Sequence, residues 1–446
     1  MQRALKKYTG KTINDFQSKT IFGTNSSDWL AGADGHDYLF GYGGNDTLIG
    51  NGGDDYLNGG TGADSMAGGT GDDTYSVDNV DDFVFEWDDP GIDTVNSSVS
   101  YVLPAFVENL TLTGTAAING FGNNHVNDLV GNSNDNSLWG HGGDDTLVGG
   151  QGHDWLVGGS GADLMYGGSG DDNYEVDDSG DVVTEKLDAG WDTVYASLNY
   201  TLSSDVEKLV LIEGSAAVDG TGNNTDNRLI GNSLDNQLTG LGGRDDLDGK
   251  AGADTLIGGM GDDDYHIDDA NDVVIEYAGE GDDRVTTAVS YTLGNNVEKL
   301  SLREGNIDGT GNGLDNEIHG GKGNNVLSGG AGEDDLYGRQ GQDILIGGMG
   351  ADTFVFETSA ESPFLARDEI LDFNSAEGDK IDLHDIAVFE TGALSFIHQS
   401  NFIAGVQGQV RFENGALETD IDGDAVADFA IQLNVSTLAL SDLVLD

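Results

Sequence analysis

From Gly23 onward an apolar residue returns every ninth position, and the residues between follow a fixed polar order. The first cuts read GTNSSDWLA, GADGHDYLF, GYGGNDTLI, GNGGDDYLN, GGTGADSMA and GGTGDDTYS, with glycine first and usually fourth, aspartate sixth and an apolar residue eighth. A second array of six begins at Gly122, and arrays of five begin at Gly222 and Gly311. Glycine permits positive φ and close backbone approach, so the first six residues of each unit predict a tight loop. The last three predict a short strand whose middle side chain points inward, because strand side chains alternate. Leu39, Leu48, Leu57, Leu147, Leu156, Leu256, Leu336 and Leu345 form that expected inner row. Two nonapeptides then make one turn of a flattened parallel coil, with successive coils about 4.8 Å apart. One inward side chain per nine residues is a thin core for so much ordered backbone. Something else must bind between the loops.

The sixth-position aspartates are the candidates: Asp28, Asp37, Asp46, Asp55, Asp64 and Asp73; Asp145, Asp154, Asp163 and Asp172; Asp245, Asp254 and Asp263; Asp334, Asp343 and Asp352. Each loop stacks on the loop two repeats later, which brings two carboxylates and several loop carbonyls together. That oxygen cage suits Ca²⁺, which takes six to eight hard ligands, better than the smaller, near-octahedral Mg²⁺. Turn preference alone would not hold aspartate at one place in a nine-residue register. Asparagine stands sixth in the two opening repeats of the later arrays, at Asn127 and Asn136, Asn227 and Asn236, and Asn316 and Asn325. These loops keep an acceptor and lose the charge. They are expected to stack through amide ladders without metal, or to bind it weakly.

The pattern GGxGxDxUx resembles the hemolysin-type calcium-binding (RTX) repeat. The resemblance implies an all-β fold, a parallel β-roll or β-solenoid of calcium-binding nonapeptides with a C-terminal β cap. It further implies folding on calcium and export by type I secretion machinery. After Asp352, the stretches GADTFVFETSAES and DEILDFNSAEGDKIDLHDI are similar to the C-terminal module of RTX proteases and lipases, through Phe354, Phe356, Asp368, Ile370, Asp372, Phe373, Gly378, Asp379, Ile381 and Leu383. In that family the module caps the roll and carries an uncleaved export signal.

The resulting plan is a basic segment over 1–21, arrays over 22–80, 122–180, 222–270 and 311–355, spacers over 81–121, 181–221 and 271–310, and a cap and secretion module over 356–446. The spacers resemble one another, aligning Tyr101, Tyr200 and Tyr291, and Glu108, Glu207 and Glu298. Each also carries a strand-like segment beginning at Asp93, Asp192 or Asp283. They are expected to continue the solenoid as wider coils without calcium cages. Asp420, Asp422 and Asp424 resemble the start of an EF-hand loop but lack its closing glutamate, and read better as an acidic hairpin tip.

Composition narrows the function. The net charge of -63, from 81 acidic and 18 basic residues, disfavours nucleic acid as a partner and favours divalent cations. Without cysteine, neither disulfides nor thiolate sites can hold the fold. The basic N-terminal residues are followed by no apolar run, so the expected location is extracellular without a cleaved N-terminal signal peptide. No stretch approaches the length of a membrane helix. Neither HExxH nor GxSxG occurs, and His153 and His266 read as loop residues facing solvent. The sequence therefore points to a secreted, non-enzymatic calcium-binding protein with a structural or surface role and a polysaccharide or cell-surface partner. The alternative is a polysaccharide hydrolase, lyase or epimerase built on the solenoid.

Overall fold

A computed structural model describes residues 17–186, 190–386 and 392–445. The chain divides into two compact units, Met1–Ala216 and Ala217–Asp446. The first sixteen residues, with Arg3, Lys6, Lys7 and Lys11, lie outside the described residues.

In the first unit, strands pair in parallel with the strand two repeats away. Tyr38–Phe40 pairs with Tyr56–Asn58, with Leu39 opposite Leu57. Thr47–Gly52 pairs with Ser65–Thr70, with Leu48 opposite Met66. Successive repeats thus alternate between two walls, and the eighth-position side chains point between them. Leu39, Leu48, Leu57, Leu147 and Leu156 are fully buried. The coil starts earlier than the repeats suggest, because Thr20–Phe22 already pairs with Tyr38–Phe40. Several strands also run six residues instead of three: once the inner triplet is paired, the next loop's first residues pair as well, as Asn51 does with Gly69.

The spacer over 81–121 continues the coil with altered circumference. Thr94 lies opposite Thr74, twenty residues back, and Asn109 lies opposite Thr94, only fifteen back. One spacer turn is therefore wider than a nonapeptide pair and the next is tighter, where only wider turns were expected. The second unit repeats this spacing, with Asp264 opposite Arg284 and Arg284 opposite Lys299. Its inner row, including Leu256, Leu336 and Leu345, is again fully buried.

The second unit closes with a different motif. Lys380–Asp382 adds in parallel to Thr353–Val355. Gln409–Glu413, Ala416–Asp420 and Phe429–Leu433 form an antiparallel meander, which joins Asp368–Ile370. Phe356 meets Phe429 edge to face at 5.3 Å, and Phe354 packs near Phe373, giving this cap a thicker core than the coils. Asp420, Asp422 and Asp424 do sit at a hairpin tip. There Asp420 accepts the N–H groups of Gly423 and Ala425, and Asp422 accepts that of Asp424.

Candidate metal sites along the loop edges

A backbone-to-carboxylate ladder holds the loops together. The N–H of Asp37 donates to Oδ1 of Asp55 at 2.7 Å, Asp55 donates to Asp73 at 2.7 Å, and Asp73 to Asp93 at 2.8 Å. The other edge runs from Asp28 to Asp46 and on to Asp64 in the same way. Each carboxylate thus spends one oxygen on the neighbouring coil.

The second oxygen behaves differently. Oδ2 of Asp46, Asp55, Asp64 and Asp73 is buried with no hydrogen-bond partner among the described residues, and so is Oδ2 of Asp145, Asp154, Asp163, Asp172, Asp245, Asp254, Asp263, Asp334, Asp343 and Asp352. Leaving a buried carboxylate oxygen unpaired is expensive, and fourteen in register are not accidental. Burial pushes the Asp55 and Asp145 carboxyls up to about 7 and that of Asp73 up to about 8, against the lowering effect of the ladder hydrogen bonds. Asp28 and Asp37 are the exceptions at the start of the first array. Their Oδ2 atoms accept the N–H groups of Thr24 and Ala33, both at 2.6 Å.

First-position glycines complete each cradle. A Cβ on Gly50 would overlap both Asp55 Oδ2 and the carbonyl oxygen of Gly68, so these two oxygens already converge on one point. Gly50 lies outside the left-handed region, so the loop uses its lack of a side chain and not its backbone freedom. The left-handed region is occupied instead by glycines at the second and fourth positions, such as Gly60 at φ 79° and Gly44 at φ 107°. All the donors at these loops are oxygens, the set a hard cation prefers.

A family model for the RTX calcium-binding nonapeptide repeat matches residues 22–57, 40–75, 49–84, 121–156, 148–183, 221–256, 239–274, 310–345 and 319–354, together just over half of the chain. The chain belongs to the RTX calcium-binding repeat family. No curated protein matches it significantly. It is accordingly a calcium-binding repeat protein with a β-roll fold, and the RTX loops carry the unpaired oxygens that calcium would satisfy.

The asparagine-type RTX loops are built otherwise: among the described residues their amides bond mainly to backbone carbonyls and do not run as a ladder from coil to coil. Asn127 Oδ1 accepts the N–H of Asn123 at 2.7 Å, while Nδ2 donates to the carbonyls of Val107 and Glu108 at 3.0 and 3.1 Å. Asn136 reaches Ile118, Asn316 reaches Val297 and Glu298, and Asn325 reaches Gly305 and Ile307. Asn236 bonds Val218 in the same manner, and Asn227 bonds Asn223. The reason is polarity. Inside an array the preceding coil offers an N–H, which a carboxylate accepts; after a spacer it offers carbonyls, which need a donor. The first array opens on aspartate instead, and Lys19 N–H donates to Asp37 at 2.6 Å.

Spacer carboxylates also join the ladder. Glu108, Glu207 and Glu298 accept the N–H groups of Asp93, Asp192 and Asp283 at 2.8, 2.8 and 2.9 Å. At the other end of the fourth array, Asp343 donates to Asp368 and Asp352 to Asp379. Sequence spacing missed these because spacer turns depart from the nine-residue register. His153 is an exposed loop residue as expected. His266 is not: it lies in the strand Asp264–Ile267, half-buried, with Nε2 3.0 Å from Asp246 and Nδ1 3.1 Å from Arg303. Strand alternation turns it onto the outer face, where it pairs with Asp246 on the adjacent strand.

Proposed function

We propose that this RTX chain is a secreted protein that stays unfolded at low cytosolic calcium, leaves the cell through type I machinery and folds outside by binding Ca²⁺. The observation that carries this reading is the row of fourteen buried, unpaired Oδ2 atoms. Without a cation they oppose folding through desolvation and mutual repulsion; with one, they become its ligands, and binding free energy becomes folding free energy. The ligands under this reading are the sixth-position aspartates, with Asp28 and Asp37 the weakest because their second oxygens already have partners. The asparagine loops hold the coils without metal. Extracellular calcium sites work at roughly 10⁻⁴–10⁻³ M, which fits folding after export.

The role outside the cell is structural or surface-binding rather than catalytic. The absence of an HExxH or GxSxG motif from the sequence supports this. The similarity of residues 353–383 to the RTX protease and lipase end module supports an export signal there. Small-angle scattering with millimolar calcium and with EGTA tests the folding step: a compact particle in calcium and an expanded chain in chelator are expected. Equal compactness in both would overturn it. For export, deleting the chain beyond Asp352 should retain it in the cell, whereas deleting the first twenty residues should not.

A further inference from the structure

The last aspartate of each of the first three arrays has no nonapeptide eighteen residues on to stack against. Asp73, Asp172 and Asp263 are followed by spacers, yet each has a buried, unpaired Oδ2. The spacer brings two further carboxylates to it. Carboxylate oxygens of Asp73, Glu86 and Asp93 lie within 4.8 Å of one another, as do those of Asp172, Glu185 and Asp192, and of Asp263, Glu276 and Asp283. The spacing, thirteen residues and then seven, is identical in all three. None of the three glutamates falls in the residues matched by the RTX repeat.

Several observations separate these clusters from ordinary acidic surface. Oδ2 of Asp192, Oδ2 of Asp283 and Oε2 of Glu276 are themselves buried without partners among the described residues. Asp73, Asp192 and Asp283 are 1 %, 1 % and 0 % exposed, and Glu276 is 6 % exposed. A tyrosine replaces the usual inner leucine beside each cluster, and the hydroxyls of Tyr75, Tyr174 and Tyr265 donate to Glu86, Glu185 and Glu276. Two of these hydroxyls accept a loop N–H in turn, from Gly68 at 2.6 Å and Gly258 at 2.7 Å, which fixes the ring and through it the glutamate. At Gly167 a Cβ would overlap Tyr174 Oη, Asp172 Oδ2 and Glu185 Oε1 together, so these oxygens converge on one small space.

The fourth array is an internal contrast. Its last repeat has Phe354 where the others have tyrosine, and the nearby carboxylate, Asp372, has both oxygens occupied by the N–H groups of Gly347 and Gly348 at 3.0 and 2.9 Å. No third acid joins Asp352 there among the described residues. The phenol and the extra acid occur together or not at all.

We propose that each of these three array ends is a cation site distinct from the nonapeptide cages, holding one Ca²⁺ through two aspartates and a tyrosine-braced spacer glutamate. Three carboxylate oxygens gathered within 4.8 Å of one another form an all-oxygen set of the kind Ca²⁺ takes in flexible geometry, whereas Mg²⁺ demands a near-ideal octahedron and keeps its waters. The site terminates the metal row, giving the last aspartate the partners that the missing repeat would have supplied. On this reading the spacers contribute to cages, where the sequence led us to expect none.

The test is calorimetric calcium titration of the full chain against its Glu86→Gln/Glu185→Gln/Glu276→Gln variant. Glutamine keeps the shape and an acceptor for each tyrosine while removing the charge. Three ions are expected to bind at least about tenfold more weakly in the variant, with the remaining ions unaffected. Identical isotherms would overturn these sites while leaving the nonapeptide reading intact; no calcium uptake by the unsubstituted chain would overturn both. Should the triple variant fail to fold in calcium, Glu276→Gln alone decides: one ion weakened supports the proposal, and none weakened overturns it.

Discussion

Asp154 donates its backbone N–H to Oδ1 of Asp172 at 2.7 Å, and Oδ2 of Asp172 is left buried and unpaired among the described residues. One side chain thus has two separable duties. Oδ1 ties coil to coil, and Oδ2 is left free to serve a cation. The RTX loop is therefore a structure assembled by one atom and completed by another.

Filling a cradle should weaken the second duty most. Gly50 lies outside the left-handed region, so Gly50→Ala strains no dihedral, but its methyl group would fall 2.1 Å from Asp55 Oδ2 and 2.6 Å from the Gly68 carbonyl oxygen, and both must give way. The expected outcome is loss of one calcium ion by calorimetry and a higher calcium concentration for half-folding. An unchanged ion count would show that this space is not where calcium sits.

Reversing the polarity at an asparagine loop should destabilise the roll even in saturating calcium. Asn127→Asp replaces an N–H₂ donor with an oxygen facing the carbonyls of Val107 and Glu108. The expected cost is about 1–3 kcal/mol, the range for leaving buried polar groups unsatisfied, measured by urea unfolding in calcium. A variant as stable as the parent, with one more ion bound, would mean the asparagine loops are latent metal sites.

Proton and metal should be partial substitutes. Burial raises Asp55 to about 7 and Asp73 and Asp368 to about 8 in the calcium-free fold, the ladder hydrogen bonds opposing it. A raised folded-state value means the contribution to stability is full below the unfolded range near 4 and is lost as pH rises through 7 to 8. Dialysed, calcium-free chain should therefore show more β-structure by circular dichroism at about pH 5 than at about pH 8.5. Equal spectra at the two pH values would contradict this linkage.

How much of this could be read from residues alone depends on register. Leu39, Leu57 and Leu147 announced themselves as the inner row because the apolar period of nine survives through every array, and all three are fully buried. Asp46 and Asp55 were equally plain. Asn127 was not, because its function depends on which groups the previous coil presents, and the sequence of one loop does not say whether its neighbour offers N–H or C=O. Glu86 lies thirteen residues beyond Asp73, in a turn twenty residues around, so no nine-residue count reaches it. The signal that could have found it was the threefold recurrence of a glutamate at that distance from the last aspartate, coupled to tyrosine in the eighth position. His266 was misplaced for a related reason: beside Asp268 it looked like loop, while the coil made it strand.

If calcium occupies the row of unpaired oxygens, it is part of the fold. Equilibrium dialysis of the full chain against calcium, with ion content read by elemental mass spectrometry, tests it most directly. Eight aspartate pairs stand two repeats apart, Asp28–Asp46, Asp37–Asp55, Asp46–Asp64, Asp55–Asp73, Asp145–Asp163, Asp154–Asp172, Asp245–Asp263 and Asp334–Asp352. At least one ion is expected for each such pair, bound cooperatively with the gain of β-structure. A saturated chain holding only one or two ions, or gaining its full β-structure before any are bound, would contradict it.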